Sequence, residues 1–326
     1  MSQDCILVIG ANGQIGTELV EALVQRHGAQ AVISSDIAAQ ARPETRQLGV
    51  RHVALDATDS PALQAVVERF AVTQVYLLAA ALSARAEQHP AWAWDLNMKS
   101  LLNVLELARS HHLRVFWPSS IAAFGPSSPK VMTPQTTAMD PTSVYGISKL
   151  AGEGWCAWYH RNHGVDVRSL RYPGLVSWKT LPGGGTTDYA VEIFHAALQS
   201  GRYTSFLAAD TALPMMYMPD AIRATLELMD APPERIRQRC GYNLAGISFT
   251  PAQIGRAIAH QLPGFAMDYA PDFRQQIAES WPQSIDDRTA QDDWGWRARF
   301  DLDAMVQDML EHLRPAYIRG DTRLAA

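Results

Sequence analysis

Tyr145 and Lys149 stand four residues apart in the run Tyr145-Gly146-Ile147-Ser148-Lys149. On a helix, positions i and i+4 share one face. A free tyrosine has a pKa of about 10 and is a poor base at neutral pH. An ammonium beside it favours the phenolate, and Tyr145 can then take the proton of a substrate hydroxyl. Such a pair can also be a plain helix-surface pair, so its surroundings decide. Ser119-Ser120 follows the apolar run that ends in Phe116-Trp117-Pro118. A hydroxyl at that strand end can bond the same substrate oxygen as Tyr145. Asn97, in the long helical stretch before it, can hold a water in a proton relay.

A second constellation sits near the N-terminus. Gly10-Ala11-Asn12-Gly13-Gln14-Ile15-Gly16 places glycine at every third position between an apolar run and an amphipathic stretch. A turn without Cβ atoms lets the backbone approach a pyrophosphate. The helix behind it offers unpaired N–H groups and a positive dipole end. Asp36 closes the second apolar run, with Ile37 next in the chain. Its carboxylate can accept from adenosine ribose hydroxyls and would repel a 2′-phosphate, and no arginine comes immediately after it. This favours NAD over NADP. Asp56-Ala57 is placed to reach the adenine edge, and Ala79-Ala80-Ala81 is small enough to let the cofactor pass.

The elements that must position these residues are set by hydrophobic period. Strands are predicted at 5–9, 31–34, 52–55, 74–78, 113–117 and 165–171. Helices are predicted at 15–27, 60–70 with Ser60 as cap, 90–111 and 143–163. This order implies an α/β Rossmann-type fold, a doubly wound parallel sheet, over residues 1–173. After Pro173 the texture changes. Gly183-Gly184-Gly185 interrupts any regular element, and prolines punctuate the later segments. Short helices are predicted at 220–229, 251–261 and 302–313. Residues 174–326 are read as a smaller, mostly helical substrate-binding lobe, partly interleaved, with some segments returning to the sheet domain.

Bulk composition narrows the class. Net charge is −5 over 326 residues, which argues against a duplex nucleic-acid surface. No run of about 18 apolar residues occurs, so no membrane span is expected. Met1-Ser2-Gln3-Asp4 leads straight into an apolar run, leaving no expected signal or transit segment. Cys5, Cys156 and Cys240 are scattered and make neither a disulfide framework nor a zinc pattern. A cytoplasmic, metal-free protein is expected.

Together these motifs resemble the extended short-chain dehydrogenase/reductases. The resemblance is carried by the glycine turn, Ser119-Ser120-Ile121-Ala122-Ala123-Phe124-Gly125, Pro141-Thr142-Ser143-Val144-Tyr145-Gly146-Ile147-Ser148-Lys149 and Arg171-Tyr172-Pro173-Gly174. It implies catalytic roles for Ser120, Tyr145 and Lys149, with Asn97 assisting. It also adds Tyr172, Pro173 and Leu175 to the cofactor contacts. The second half is similar to the bacterial short-chain L-threonine 3-dehydrogenases, in Gly183-Gly184-Gly185-Thr186-Thr187-Asp188-Tyr189-Ala190, Leu213-Pro214-Met215-Met216-Tyr217 and Ser280-Trp281-Pro282-Gln283-Ser284. That similarity implies oxidation of the L-threonine 3-hydroxyl to 2-amino-3-oxobutanoate with NAD, and a homodimer formed through the helices at 90–111 and 143–163. Ser83, Thr186, Thr187 and Asp188 can bind the amino-acid zwitterion, and Trp281 can close over it. Thr186, Thr187 and Asp188 could equally be helix-start residues, and Trp281 a core aromatic. A nucleotide-sugar epimerase and a non-catalytic NAD-binding sensor remain rivals. A dehydratase would be expected to carry an acidic pair after Ser120, where Ile121-Ala122 stands. A zinc-dependent medium-chain enzyme would need a cysteine cluster.

Overall fold

The computed structural model describes residues 4–181 and 183–318; the N-terminal reading at Met1, Ser2 and Gln3 and the end of the second region lie outside the described residues. Short runs of branched apolar residues become the strands β1 (Ile6–Ile9), β2 (Val32–Asp36), β3 (Arg51–Ala54), β4 (Gln74–Leu77) and β5 (Arg114–Phe116). After them come β6 (Ser119–Ser120) and β7 (Val167–Arg168). β1 and β4 are buried at every position, as strands covered on both faces must be. The main sheet is parallel, in the order β3-β2-β1-β4-β5-β7. Strand order therefore reverses between β1 and β4, and that switch point opens a crevice at the strands' carboxyl ends.

Helices cover both faces. α1 (Gln14–His27), α2 (Pro43–Gln47), α3 (Ser60–Phe70), α4 (Ser83–Gln88), α5 (Pro90–His111) and α6 (Val144–His163) alternate with the strands. Leu63 of α3, Leu101 and Leu105 of α5 and Cys156 and Tyr159 of α6 join Leu7, Val75 and Val115 in one core. The cap of α3 is Asp59, whose side chain accepts from the Ala62 N–H, one residue before the expected Ser60.

The expected strand at 165–171 divides. Val167 pairs with β5, whereas β8 (Leu170–Tyr172) leaves the main sheet and pairs with β6 and β12 (Tyr242–Asn243). Pro118 lies between β5 and β6, and a residue without an N–H cannot carry a ladder through. β9 (Gly174–Val176) then pairs with β11 (Leu213–Tyr217), which β13 (Ile247–Phe249) flanks. β10 (Arg202–Ser205) pairs with β14 (Ala266–Tyr269). Strands this short carry too little alternation to be read from sequence.

The later helices are α7 (Tyr189–Ser200), α8 (Met218–Asp230), α9 (Pro251–Gln261), α10 (Arg274–Ser280), α11 (Arg288–Trp294) and α12 (Leu302–Ile318). Phe194, Ile254, Met309 and Leu313 bring α7, α9 and α12 into a second core. Ile222 and Leu228 of α8 instead pack with Leu19 and Leu23 of α1 against the main sheet. Among the described residues, no helix is long and apolar enough to cross a membrane.

One close approach sets the seat of α6. A Cβ on Gly152 would fall 2.3 Å from Trp117 Cη2. Gly152→Val should therefore destabilise the fold by about 1–3 kcal/mol through overpacking. Urea unfolding reads this as a lower midpoint at unchanged slope; an unchanged midpoint would contradict the tight seating.

Candidate active site

The glycine turn is built by close approach. Gly10 has φ +86°, and a Cβ there would lie 2.7 Å from the Ala79 nitrogen. A Cβ on Gly16 would lie 2.3 Å from the Gly10 carbonyl oxygen. Gly13, by contrast, has only that oxygen within reach and is otherwise open. These three glycines, with Gln14, Ile15 and Ala80, line one side of a cleft of about 250 Å³. The Gln14 Nε2 is buried without a partner among the described residues, and α1 has no side-chain cap. An uncapped helix start, a cradle that any Cβ would fill and an unused amide donor suit the pyrophosphate of NAD.

Asp36 is held at the end of β2. Its Oδ2 accepts from the Asn12 N–H at 3.1 Å and its Oδ1 from the Ala38 N–H at 3.2 Å. Arg42 reaches back to this end of the turn, its Nε donating to the Asn12 carbonyl at 2.7 Å. Sequence distance from Asp36 concealed that arginine. Ile37 is exposed. Asp56 is also exposed, and the Thr58 N–H and hydroxyl hold its carboxyl below the usual carboxylate range. Ala57 and Ala81 are buried, and Ala79 abuts Gly10. Asn12, Asp36, Ile37, Asp56, Ala57, Ala79, Ala81 and Asn97 do not line the cleft itself.

The other side of the cleft carries the hydroxyls. Ser143 caps α6, its Oγ accepting from the Gly146 N–H at 3.0 Å. A Cβ on Gly146 would fall 2.1 Å from the Ala122 carbonyl oxygen, so glycine lets α6 press on the turn after Ser120. That contact brings Tyr145 beside Ser120. Burial pushes the Tyr145 phenol up to about 12, with the Ser120 hydroxyl pulling the other way. Lys149 is buried, its Nζ donating to the Pro118 carbonyl at 2.6 Å and lying 4.5 Å from the Trp117 ring centre. Burial pulls its ammonium down to about 7, against the Cys156 thiol and the Glu153 carboxylate.

The surroundings of Lys149 and Asn97 bear on two expectations. The spacing predicts that Lys149 lowers the Tyr145 pKa; its Nζ stands 5.3 Å from the phenol ring centre, while burial raises the phenol and the Ser120 hydroxyl opposes that rise. Asn97 is expected to hold a relay water. Its Oδ1 instead accepts from the Ala81 N–H at 2.8 Å, and its Nδ2 donates to Ser148 Oγ at 3.0 Å. Ser148 in turn donates to the Tyr145 carbonyl at 2.7 Å, so Asn97 fastens the chain after β4 to α6.

Ser83, Thr186, Thr187, Asp188 and Trp281 also line the cleft, as do Tyr172, Pro173 and Leu175. The Ser83 and Thr186 hydroxyls lie 3.2 Å apart. Asp188 Oδ2 accepts from the Gly184 and Gly185 N–H groups at 2.8 and 2.6 Å, closing the glycine loop on itself. Burial pushes this carboxyl up to about 6, and those N–H bonds oppose it. Trp281 both lines the cleft and belongs to the second core. Among the described residues, no group of three His, Cys, Asp or Glu side chains could hold a metal.

Sequence reading misses the pair behind this cleft. Glu153 accepts from Arg171 Nε at 2.9 Å and from its Nη2 at 2.8 Å, both side chains being almost fully buried. Ser119 Oγ donates to the same carboxylate at 2.6 Å. A signal is present: Glu153 is one helical turn past Lys149, on the same face.

The cleft has relatives. The solved holo form of the GalE-like L-threonine dehydrogenase from Cupriavidus necator is 63% identical, with a TM-score of 0.92 over 95% of this chain and 99% of that one. A monomeric L-threonine 3-dehydrogenase from a metagenome is 46% identical, with a TM-score of 0.92 over 96% of this chain and 99% of that one. An uncharacterized epimerase/dehydratase of Staphylococcus haemolyticus is 48% identical over 307 residues, covering 94% of this chain and 96% of that protein. A profile of NAD dependent epimerases and dehydratases matches residues 6–245. That span runs from the first strand of the cofactor half to just past β12, and by it this chain belongs to the NAD dependent epimerase/dehydratase family.

Proposed function

We propose that the chain oxidises L-threonine at its 3-hydroxyl, giving 2-amino-3-oxobutanoate and NADH. The carrying observation is the pairing of Ser120 with Tyr145 in a small cleft whose far wall is Ser83, Thr186, Thr187, Asp188 and Trp281. Bound NAD supplies the hydride acceptor and a positive charge near Tyr145. Ser120 Oγ hydrogen-bonds the substrate oxygen and fixes its direction. Tyr145 Oη takes the hydroxyl proton; the positive charge of the cofactor, with Lys149 in the fraction that keeps its proton, favours the phenolate that does so. Thr186 and Thr187 offer hydroxyls to the substrate carboxylate. Asp188 keeps Oδ1 for the ammonium while Oδ2 holds the loop. Trp281 excludes water.

The test is NADH formation from L-threonine, with L-serine, D-threonine and UDP-glucose as comparisons. Absorbance should rise with L-threonine, faster at alkaline pH because the phenol starts high. Tyr145→Phe should keep NAD affinity and lose turnover by about 10²–10⁴-fold. No absorbance rise with L-threonine would overturn the substrate, and undiminished turnover in the variant would overturn the base.

Lys149 makes a second test. Its pKa is lowered on folding, so between about pH 7 and 10.5 the unfolded chain holds more protons than the folded one. Stability then rises with pH across that window. From pH 7 to pH 9 the wild type should gain on the order of 2 kcal/mol relative to Lys149→Met, measured by urea unfolding. Parallel curves for the two proteins would refute it.

We also infer a homodimer through α5 and α6. Trp92 and Trp94 of α5 and Ile147, Trp155 and Trp158 of α6 are exposed, and the Trp155 and Trp158 rings lie 5.9 Å apart. An aromatic surface of this kind is costly in water. Sedimentation should give a dimer that Trp158→Glu dissociates; a wild-type monomer would end the inference.

A further inference from the structure

The chain between Ser120 and Tyr145 clasps the segment that carries Trp281. Lys130 is half-buried, and its Nζ donates to the Ser280 carbonyl at 2.8 Å and to the Trp281 carbonyl at 3.3 Å. These carbonyls stand at the end of α10, whose last turn holds no basic residue of its own. Carbonyls at a helix end lack intrahelical partners, and an ammonium there also complements the helix dipole. The Lys130 carbonyl in turn accepts from the Gln283 and Ser284 N–H groups at 2.7 and 3.2 Å. Farther along the strap, the Met132 N–H donates to Ser284 Oγ at 2.8 Å, and Thr133 bridges Ile285. Met132 is exposed and takes φ +51°, a conformation that non-glycine residues rarely adopt. The strap then reaches Gln135, whose carbonyl accepts from Arg171 Nη1 at 2.9 Å. Trp281 is thereby joined, through backbone, to the Glu153–Arg171 pair behind Ser120.

We propose that Lys130 is a positioning residue that sets how large a substrate side chain the cleft admits. Through the two carbonyls it holds the Trp281 indole, 5% exposed, in the cleft wall. Among the described residues, the Trp281 peptide groups bond only to Ala278, within the same segment, and to Lys130. So held, the indole leaves room for a short 3-hydroxy amino acid and none for one with a bulky group on the hydroxyl carbon. The inference rests on the reading of the cleft as the seat of an amino-acid alcohol. The cleft measures about 250 Å³, and the nicotinamide must share it. In a space so small, a wall displaced by the width of one methylene changes what fits.

L-threo-3-phenylserine is the probe, since it carries a phenyl ring where L-threonine has a methyl. In Lys130→Met its kcat/KM relative to that of L-threonine should rise about tenfold. Lys130→Arg keeps N–H donors for both carbonyls and should restore the wild-type ratio. Ser284→Ala loosens the same strap at Met132 and should raise the ratio less; it carries the test should Lys130→Met fold poorly. Hydroxyl-radical labelling read by mass spectrometry follows Trp281 without turnover. Labelling of Trp281 in the unliganded chain should rise several-fold in Lys130→Met and fall back in Lys130→Arg, with the NADH Kd by fluorescence unmoved. Unchanged labelling overturns the hold of Lys130 on Trp281. Raised labelling with an unchanged ratio overturns its part in selectivity, as does a matching loss of NADH binding, which marks general loosening. A wild type inert toward L-threonine, with labelling still raised in Lys130→Met, overturns the amino-acid reading of the cleft and leaves the hold on Trp281 standing.

Discussion

Three segments that line the candidate cleft are tied to one buried carboxylate. Glu153 on α6 receives Arg171 from β8 and Ser119 from β6. Ser120 is next to Ser119, Tyr172 is next to Arg171, and Lys149 lies one turn before Glu153. Arg171 extends the tie to the Gln135 carbonyl and the Asn243 side chain, reaching β12. A buried ion pair contributes little when complete, but removing one partner costs about 3–5 kcal/mol because a bare charge remains inside. It joins α6 to both β6 and β8 at one point.

Burial also governs the protons of the cleft. It raises the Tyr145 phenol, lowers the Lys149 ammonium and raises the Asp188 carboxyl. Each group is pushed toward its neutral form, which is what low dielectric does to any lone ionisable side chain. With Lys149 brought to about 7 and Asp188 to about 6, both groups titrate close to neutrality. Charge brought in by the cofactor acts in this low dielectric with little screening, which suits a base required only when the oxidised cofactor is present.

Local signals in the sequence are enough for much of this. The glycine spacing marks the turn, hydrophobic period marks the long helices, and Ser120, Tyr145 and Lys149 become candidates when their strings are read together. What escapes depends on contacts between distant residues. Asn97 reads as a holder of a relay water, and nothing in its spacing shows that its amide meets Ala81 and Ser148. Arg42 looks remote from Asp36 until the chain folds back to Asn12. The Tyr145 pKa is not legible in a Tyr-x-x-x-Lys spacing, since burial raises the phenol. Strands such as β12 and β13 are too short to show a period.

Pro118 has a wider bearing. By ending β5's ladder it moves the chain onto a second small sheet before Ser120 is reached. The glycine turn and Ser120 thus ride on separate sheets. Trp281 stands farther still, beyond the residue 245 at which the family match ends. Mutation can reshape the cleft wall at Trp281 while the glycine turn stays untouched. In evolutionary terms the fold is modular: one inherited redox half can be fitted with different substrate walls, so membership of the family names the hydride acceptor and leaves the alcohol to be read from the rest of the chain.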